Sequence, residues 1–495
     1  MSRWRPILWV LLPFAAGYYL SYLFRSINAL IAGDLTAELG LSAADLGLLT
    51  SLYFLVFAAA MLPCGVLLDR CGPRVVDSAL LLVAAAGSLV FAIADGIWSL
   101  MLARALIGLG VTVGLIAGLK AIVMWFPPER VALANGWYIM LGALGALSAT
   151  GPAEVLVQSV GWRGLFAVMA VASAAVALLI LLVVPEKKQA QVAASSPKAS
   201  FSTVFRDSRF WRVAPLSATG AGTSWSLQGL WAAPWLTDVA GLDRSAVVEH
   251  LTLMAAALSA SALVLGALAE RLRRAGISTE MVLASTLALS MAAQLALLLR
   301  LPVSSHLLFA TTAAAGATTV LSFAILARYF PKEVTGRANA ALGVLNMGTA
   351  FGLQCLSGLI VALWPADGGR YPAEAHQAAM ATGLGLQLIA LGVFFIPTHR
   401  VKAAPMAHAV ARALGLSEAP SRIVRPVYVS WTYQADLARR QRAAWAFAAA
   451  ASAALCVGLA ATLSMTISHP AVALHVIELR QINGPFKPNV SGGLD

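Results

Sequence analysis

The sequence predicts an all-α membrane protein built as two six-helix halves with one further span behind them, and three observations predict it. Of 495 residues, 60% are hydrophobic and 11% charged, far from the balance of a soluble domain. A bilayer-crossing helix needs roughly 20 apolar residues. Thirteen segments meet that need, beginning near Trp9, Leu46, Val75, Trp98, Val131, Arg163, Val213, Ala246, Thr279, Ser304, Ala338, His376 and Ala443. The chain also repeats itself: Phe126-Pro127-Pro128-Glu129 and Ala134-Asn135 recur 204 residues later as Phe330-Pro331-Lys332-Glu333 and Ala338-Asn339.

In lipid every backbone polar group must pair internally, so the segments are helices rather than strands. The first follows Arg3 and Arg5, carries Arg25 and Asn28, and lacks a small-x-small cleavage site, so it reads as a retained helix rather than a signal peptide. Residues 46–68 carry no charge and residues 75–94 only Asp77, with a short charged turn between them. That turn must be a tight hairpin at one bilayer face. The predicted halves are 1–184 and 213–397, joined by a polar, basic linker at 185–212 that suits a flexible chain. A basic stretch at 398–442 precedes the thirteenth span at 443–468, and 469–495 forms a short tail.

The net charge of +12 follows topology rather than nucleic-acid binding. Alternate loops collect Arg70, Arg74, Arg130, Lys187, Lys188, Arg206, Arg271, Arg273, Arg274 and Arg328 on one side. The other side holds Asp34, Glu38, Asp45, Asp95, Asp238, Asp243, Glu249 and Asp367 among a few arginines. The positive-inside rule then places the N-terminus and the 185–212 linker in the cytoplasm and the tail outside, in a bacterial-type inner membrane. Cys64, Cys71, Cys355 and Cys456 show neither metal spacing nor a disulfide framework. With no Walker loop and no zinc-type cluster, the residues offer no enzyme site and call for no cofactor.

Gly65-Val66-Leu67-Leu68-Asp69-Arg70-Cys71-Gly72-Pro73-Arg74 resembles the loop between helices 2 and 3 of the major facilitator superfamily of transporters. A decayed echo stands at Gly266 to Arg271. The resemblance implies two pseudo-symmetric six-helix halves about an axis along the membrane normal, alternating access, and a monomer. It also implies that Gly65, Asp69, Arg70, Gly72 and Arg74 latch the inner gate, the acid facing a helix N-terminus and the arginines pairing with carboxylates across the seam.

Charges inside spans point to a cavity, because an arginine at a helix centre costs on the order of 2.5–3.5 kcal/mol. Arg25-Ser26-Ile27-Asn28, Arg104-x3-Gly108-x-Gly110 and Lys120-x4-Trp125-Phe126-Pro127 together resemble the anion:cation symporter branch. Its helix-1 arginine binds substrate, a role the resemblance assigns to Arg25. Two acids of that branch are missing, where this chain has Phe24 and Val111, which puts coupling by the usual carboxylates in doubt. Glu154 is the acid left to titrate, or else a structural partner of Arg25 or Arg163. Gly151-Pro152 is reminiscent of a drug-antiporter motif, but Ala153-Glu154 replace its glycines.

Asn28, Tyr53, Tyr138, Trp225, Gln228, Asn346 and Gln354 are the candidate cavity lining beside Arg25 and Arg104. The expected activity is uptake of a small organic anion by secondary transport, with the bilayer as the other partner. One alternative is a membrane-assembly or sensor protein, because the run from Trp431 through the last span weakly resembles bitopic proteins of type IV secretion. The other is a copper importer, because His250 and Met254 form a His-x3-Met pair on one helix face.

Overall fold

Residues 7–185 and 201–396 are described by a computed structural model. They fold into α-helices: α1 (Leu12–Ser26), α2 (Asn28–Leu39), α3 (Ala43–Cys71), α4 (Pro73–Ala92), α5 (Ile97–Gly110), α6 (Gly114–Trp125), α7 (Pro128–Ser148), α8 (Gly151–Val183), α9 (Phe201–Phe205), α10 (Ser208–Ser226), α11 (Ala232–Asp238), α12 (Arg244–Arg274), α13 (Thr279–Leu298), α14 (Ser305–Ala314), α15 (Thr319–Tyr329), α16 (Lys332–Val361) and α17 (Ala373–Phe395). Among the described residues, 11 helices are long and apolar enough to cross a membrane. The passage Ser208–Ser226 and Ala232–Asp238 is outside that set, because its serines, threonines and glycines dilute its apolar character. The thirteenth span at 443–468, the basic segment 398–442 and the tail 469–495 lie outside the described residues.

Local chemistry explains the joints. Ser42 caps α3 in a reciprocal box with Asp45, and Gly72 ends the same helix at φ +79° with Pro73 opening α4. The hairpin turn is therefore almost one residue long, as the sequence requires. Gly161, at φ +71°, breaks the run Gly151–Val183 in two. Its first piece continues α7 as the fifth span, and its second, from Trp162, is the sixth. Part of the expected linker is helical. Asp207 caps α10, while Val204 and Phe210 bury themselves against Leu326, Phe330 and Ala338. The flexible reading counted polar residues and overlooked these two apolar anchors.

The duplication reaches down to the breaks. The first span is jointed at Ile27, and the seventh carries a π-turn, Leu227–Trp231, 200 residues later. The fourth span is interrupted at Val111–Val113 and the tenth by a 3₁₀ turn, Ala315–Thr318, beginning 204 residues later. At one face, Glu38 accepts from Trp162 Nε1 and Arg163 at the start of the sixth span. In the other half Asp238 accepts from His376, near the start of the twelfth, at 2.9 Å. Acid at the end of the first span of each half, partner at the start of its last: the two halves are tied alike.

Candidate functional site

The halves meet where α3 packs against α16. Near the Asp34 end of that seam the backbones almost touch, because a Cβ added at Gly47 would lie 2.9 Å from the Gly358 Cα. Small residues at such crossings allow close helix approach. Just beside it, Arg244 of the second half clasps two carboxylates of the first. Its Nη1 donates to Asp34 Oδ1 at 2.8 Å and its Nε to Glu154 Oε1 at 2.6 Å, with Nη2 shared between the two acids. Ala43 N–H donates to the Tyr371 hydroxyl at 3.1 Å, adding a neutral bond across the same seam. Glu154 is thus held by Arg244 and Gln158, while Arg163 serves Glu38.

The opposite end differs. Lys120 Nζ donates to Asp69 Oδ1 at 2.8 Å and to the Leu68 carbonyl at 2.9 Å, so the motif acid pairs inside its own half and the same lysine caps the α3 C-terminus. Arg74 Nε donates to the Leu181 carbonyl of the sixth span at 2.9 Å. Arg70 is exposed, and Gly65 and Gly72 shape the helix end.

Between these ends lie the two arginines. The Arg104 side chain is fully buried and its Nη1 donates to the Phe24 carbonyl at 3.2 Å, beside the joint of the first span. Its Nε and Nη2 have no hydrogen-bond partner. Arg25, the next residue after Phe24, lays its guanidinium 4.0 Å over the Tyr22 ring and 5.1 Å from the Trp225 ring of the second half, and its Nη2 is also unpartnered. Both charges therefore flank a single turn, and the Tyr53 ring lies 5.5 Å from Arg104 while its hydroxyl donates to the Ser21 carbonyl at 3.3 Å.

The amides predicted from sequence are buried with spare polar atoms. Asn28 Nδ2 donates to Thr50 Oγ1 at 3.0 Å while its Oδ1 is free, and Gln228 Nε2, Asn346 Oδ1 and both polar atoms of Gln354 have no partner. Tyr138 stands apart. Its ring stacks on Tyr18 at 5.2 Å and its hydroxyl bonds the Gly114 and Phe14 carbonyls, so in this conformation it packs one half internally. The His250 nitrogens are occupied by the Ala246 carbonyl at 2.7 Å and Ser305 Oγ at 2.9 Å, with Met254 buried one turn on. Among the described residues no three His, Cys, Asp or Glu side chains gather as a metal set. A cavity lined by Thr223, Trp231, Gln294, Leu353, His376 and Met380 has all its lining residues in the second half, neither arginine among them. Sequence reasoning singled out Glu154 but missed its Arg244 clasp, because Arg244, Asp34 and Glu154 lie 90 or more positions apart.

Jointed spans, duplicated halves and a charged centre at the seam define a polytopic transport-type bundle. The chain belongs to the Major Facilitator Superfamily, whose family model matches residues 14–352. It is 33% identical over 129 residues to the nitrate/nitrite transporter NrtP of Picosynechococcus sp., covering 26% of this chain and 24% of that one. It is 30% identical over 157 residues to the probable L-galactonate transporter of Escherichia coli, covering 32% of this chain and 34% of the other. These matches thus span about a quarter to a third of the curated relatives' length. In fold it resembles the inward-facing, occupied crystal structure of a bacterial homologue of the human lysosomal transporter Spinster. The TM-score is 0.67 at 19% identity, covering 80% of this chain and 97% of that one.

Proposed function

We propose that this protein is a secondary transporter that takes up a small anion across a bacterial-type inner membrane by alternating access. One observation carries the reading: the buried Arg104 guanidinium keeps two N–H-bearing nitrogens without a protein partner. A buried cation left unpaired is expensive unless a ligand completes it. Arg25 adds a second free donor on the same turn, and the unpartnered amides of Gln228, Asn346 and Gln354 offer polar contacts from the second half. A planar carboxylate or nitrate suits the guanidinium fork. The named substrates of the two relatives, nitrate or nitrite and L-galactonate, are both anions.

Alternating access follows from the ends. The Arg244 clasp and the Gly47–Gly358 crossing close the Asp34 end, while the Asp69 motif pairs with Lys120 inside its own half. In the opposite state the clasp opens and Asp69, Arg70 and Arg74 come to hold the other end. The positive-inside rule makes the Asp69 end cytoplasmic.

The test is binding of nitrate and L-galactonate to the purified protein by titration calorimetry. Arg104→Ala should weaken the bound anion by about 30-fold or more, the scale of losing one partner of a buried charged pair. Arg104→Lys should fall between, because lysine offers a point charge and no fork. Binding by wild type that Arg104→Ala leaves unchanged would overturn the reading.

A further inference from the structure

The anion site does not use the most isolated charge-bearing side chain in the first half. Asp77, one turn into α4, is 1% exposed, and neither carboxylate oxygen has a hydrogen-bond partner. It lies under the first span: a Cβ added at Gly17 would be 3.5 Å from Asp77 Oδ2 and 3.2 Å from Leu81. The α1 backbone at Gly17 thus lies against the carboxyl.

Among the described residues no cation answers it. From α6, Lys120 is bonded to Asp69, and from α5, Arg104 is bonded to Phe24. On α4 itself Arg74 donates to Leu181, and α8 carries no charged residue from Gly164 to Val183. From α3, Asp69 and Arg70 sit at the exposed hairpin. From α7, the titratable group is the Tyr138 phenol, which is bonded to the Gly114 and Phe14 carbonyls. From α1 come Tyr18 and Tyr22, ring to ring at 5.1 Å, and beyond them Arg25 over Tyr22. An ionised carboxylate so placed is costly, and a neutral acid is not. The surroundings of Asp77 therefore favour the neutral acid over the ionised one.

We infer that Asp77 is the proton-binding site that couples transport to the proton gradient, an inference that rests on the anion-transport reading and deepens it. The first span links the two groups: its helix α1 lies on the Asp77 carboxyl of α4 at Gly17 and carries Arg25 just before the joint at Ile27. In one state Asp77 Oδ takes a proton from water; in the other, movement of α1 away from α4 exposes the group and the O–H bond breaks back to water. No electrons change hands. An anion arriving at Arg25 and Arg104 brings negative charge to the half in which an ionised Asp77 would repel it, so the two loads favour each other.

The experiment uses the full chain in proteoliposomes with nitrate and L-galactonate. An inward gradient of one pH unit should drive roughly tenfold accumulation per coupled proton in wild type. Asp77→Asn keeps the shape of a neutral acid. It should hold anion counterflow within about twofold while the gradient-driven accumulation ratio falls to about one, since a locked neutral group can exchange but not couple. Accumulation by Asp77→Asn equal to wild type would overturn the inference while leaving anion transport standing. Absence of counterflow in wild type would instead defeat the transport reading. A readout free of any anion is infrared spectroscopy of nanodisc-embedded protein. A protonated-carboxyl stretch should appear that moves with isotopically labelled aspartate and vanishes in Asp77→Asn. No such band at any pH would overturn the inference, even were neither anion carried or the variant unable to fold.

Discussion

Two guanidiniums flank one turn of the first span, Arg25 from that helix and Arg104 from α5, and their surroundings divide the work between them. Arg104 is sealed and braced by the Phe24 carbonyl, while Arg25 is half-buried and shared between Tyr22 and Trp225 across the seam. Both were legible in sequence, because an arginine inside an apolar run announces its own cost. Asp77 was not, because one acid just inside a span reads as a flank until the helices around it are placed. Asp207 shows the opposite case, an acid whose partners are local. It caps α10 by accepting from Arg209 N at 2.8 Å, and the Arg209 guanidinium hydrogen bond holds its carboxyl below the usual range against the effect of partial burial. A depressed folded value means that the cap's contribution is present above the unfolded value near pH 4. It is lost as pH falls through the folded one. Asp207→Ala should lower stability at pH 7 by about 0.5–2 kcal/mol, the usual worth of an N-cap. Denaturation profiles of the two proteins should converge below about pH 4.

At the scale of elements, the Asp34 end is closed by two devices of different kinds. The Gly47–Gly358 crossing is steric, and the Arg244 clasp is ionic and partly exposed, with the Arg244 side chain at 44%. A steric device responds to volume and an exposed ionic one to screening. Gly358→Leu should therefore wedge α3 from α16 whatever the salt, since the added Cβ would meet the Ala43 carbonyl at 2.6 Å. Arg244→Gln should act more weakly. The measurement is maleimide reactivity of a cysteine at Leu46, which is 7% exposed, in a background lacking Cys71. Reactivity should rise by about tenfold or more in Gly358→Leu, the factor a 1.4 kcal/mol shift between states produces. Unchanged reactivity in both variants would show that neither feature holds this end shut. Neither device was legible from sequence, because each joins residues 90 or more positions apart.

For the whole molecule, the broad plan was readable and its breaks were not. Apolar segments and the 204-residue repeat predict spans and halves, since both follow from composition along the chain. In this conformation the acid of the hairpin motif pairs within its own half, where Lys120 takes Asp69. A motif specifies residues, whereas the conformation decides their partners. Orientation can be read from a native probe: Cys71 is exposed on the Asp69 hairpin. A membrane-impermeant thiol reagent should label it in inverted vesicles and spare it in intact cells, with Cys71→Ala as the control for other thiols. Labelling from the outside would reverse the proposed topology.

The joints of the first and fourth spans return in the seventh and tenth at nearly the spacing of the sequence repeat. At the same offsets of 200 and 204, Phe24, Arg25 and Arg104 correspond to Ser224, Trp225 and Leu308. The bends are thus common to both halves, and these two arginines are not. What lets the bundle flex is symmetric, while what would give it a preference for charge is not.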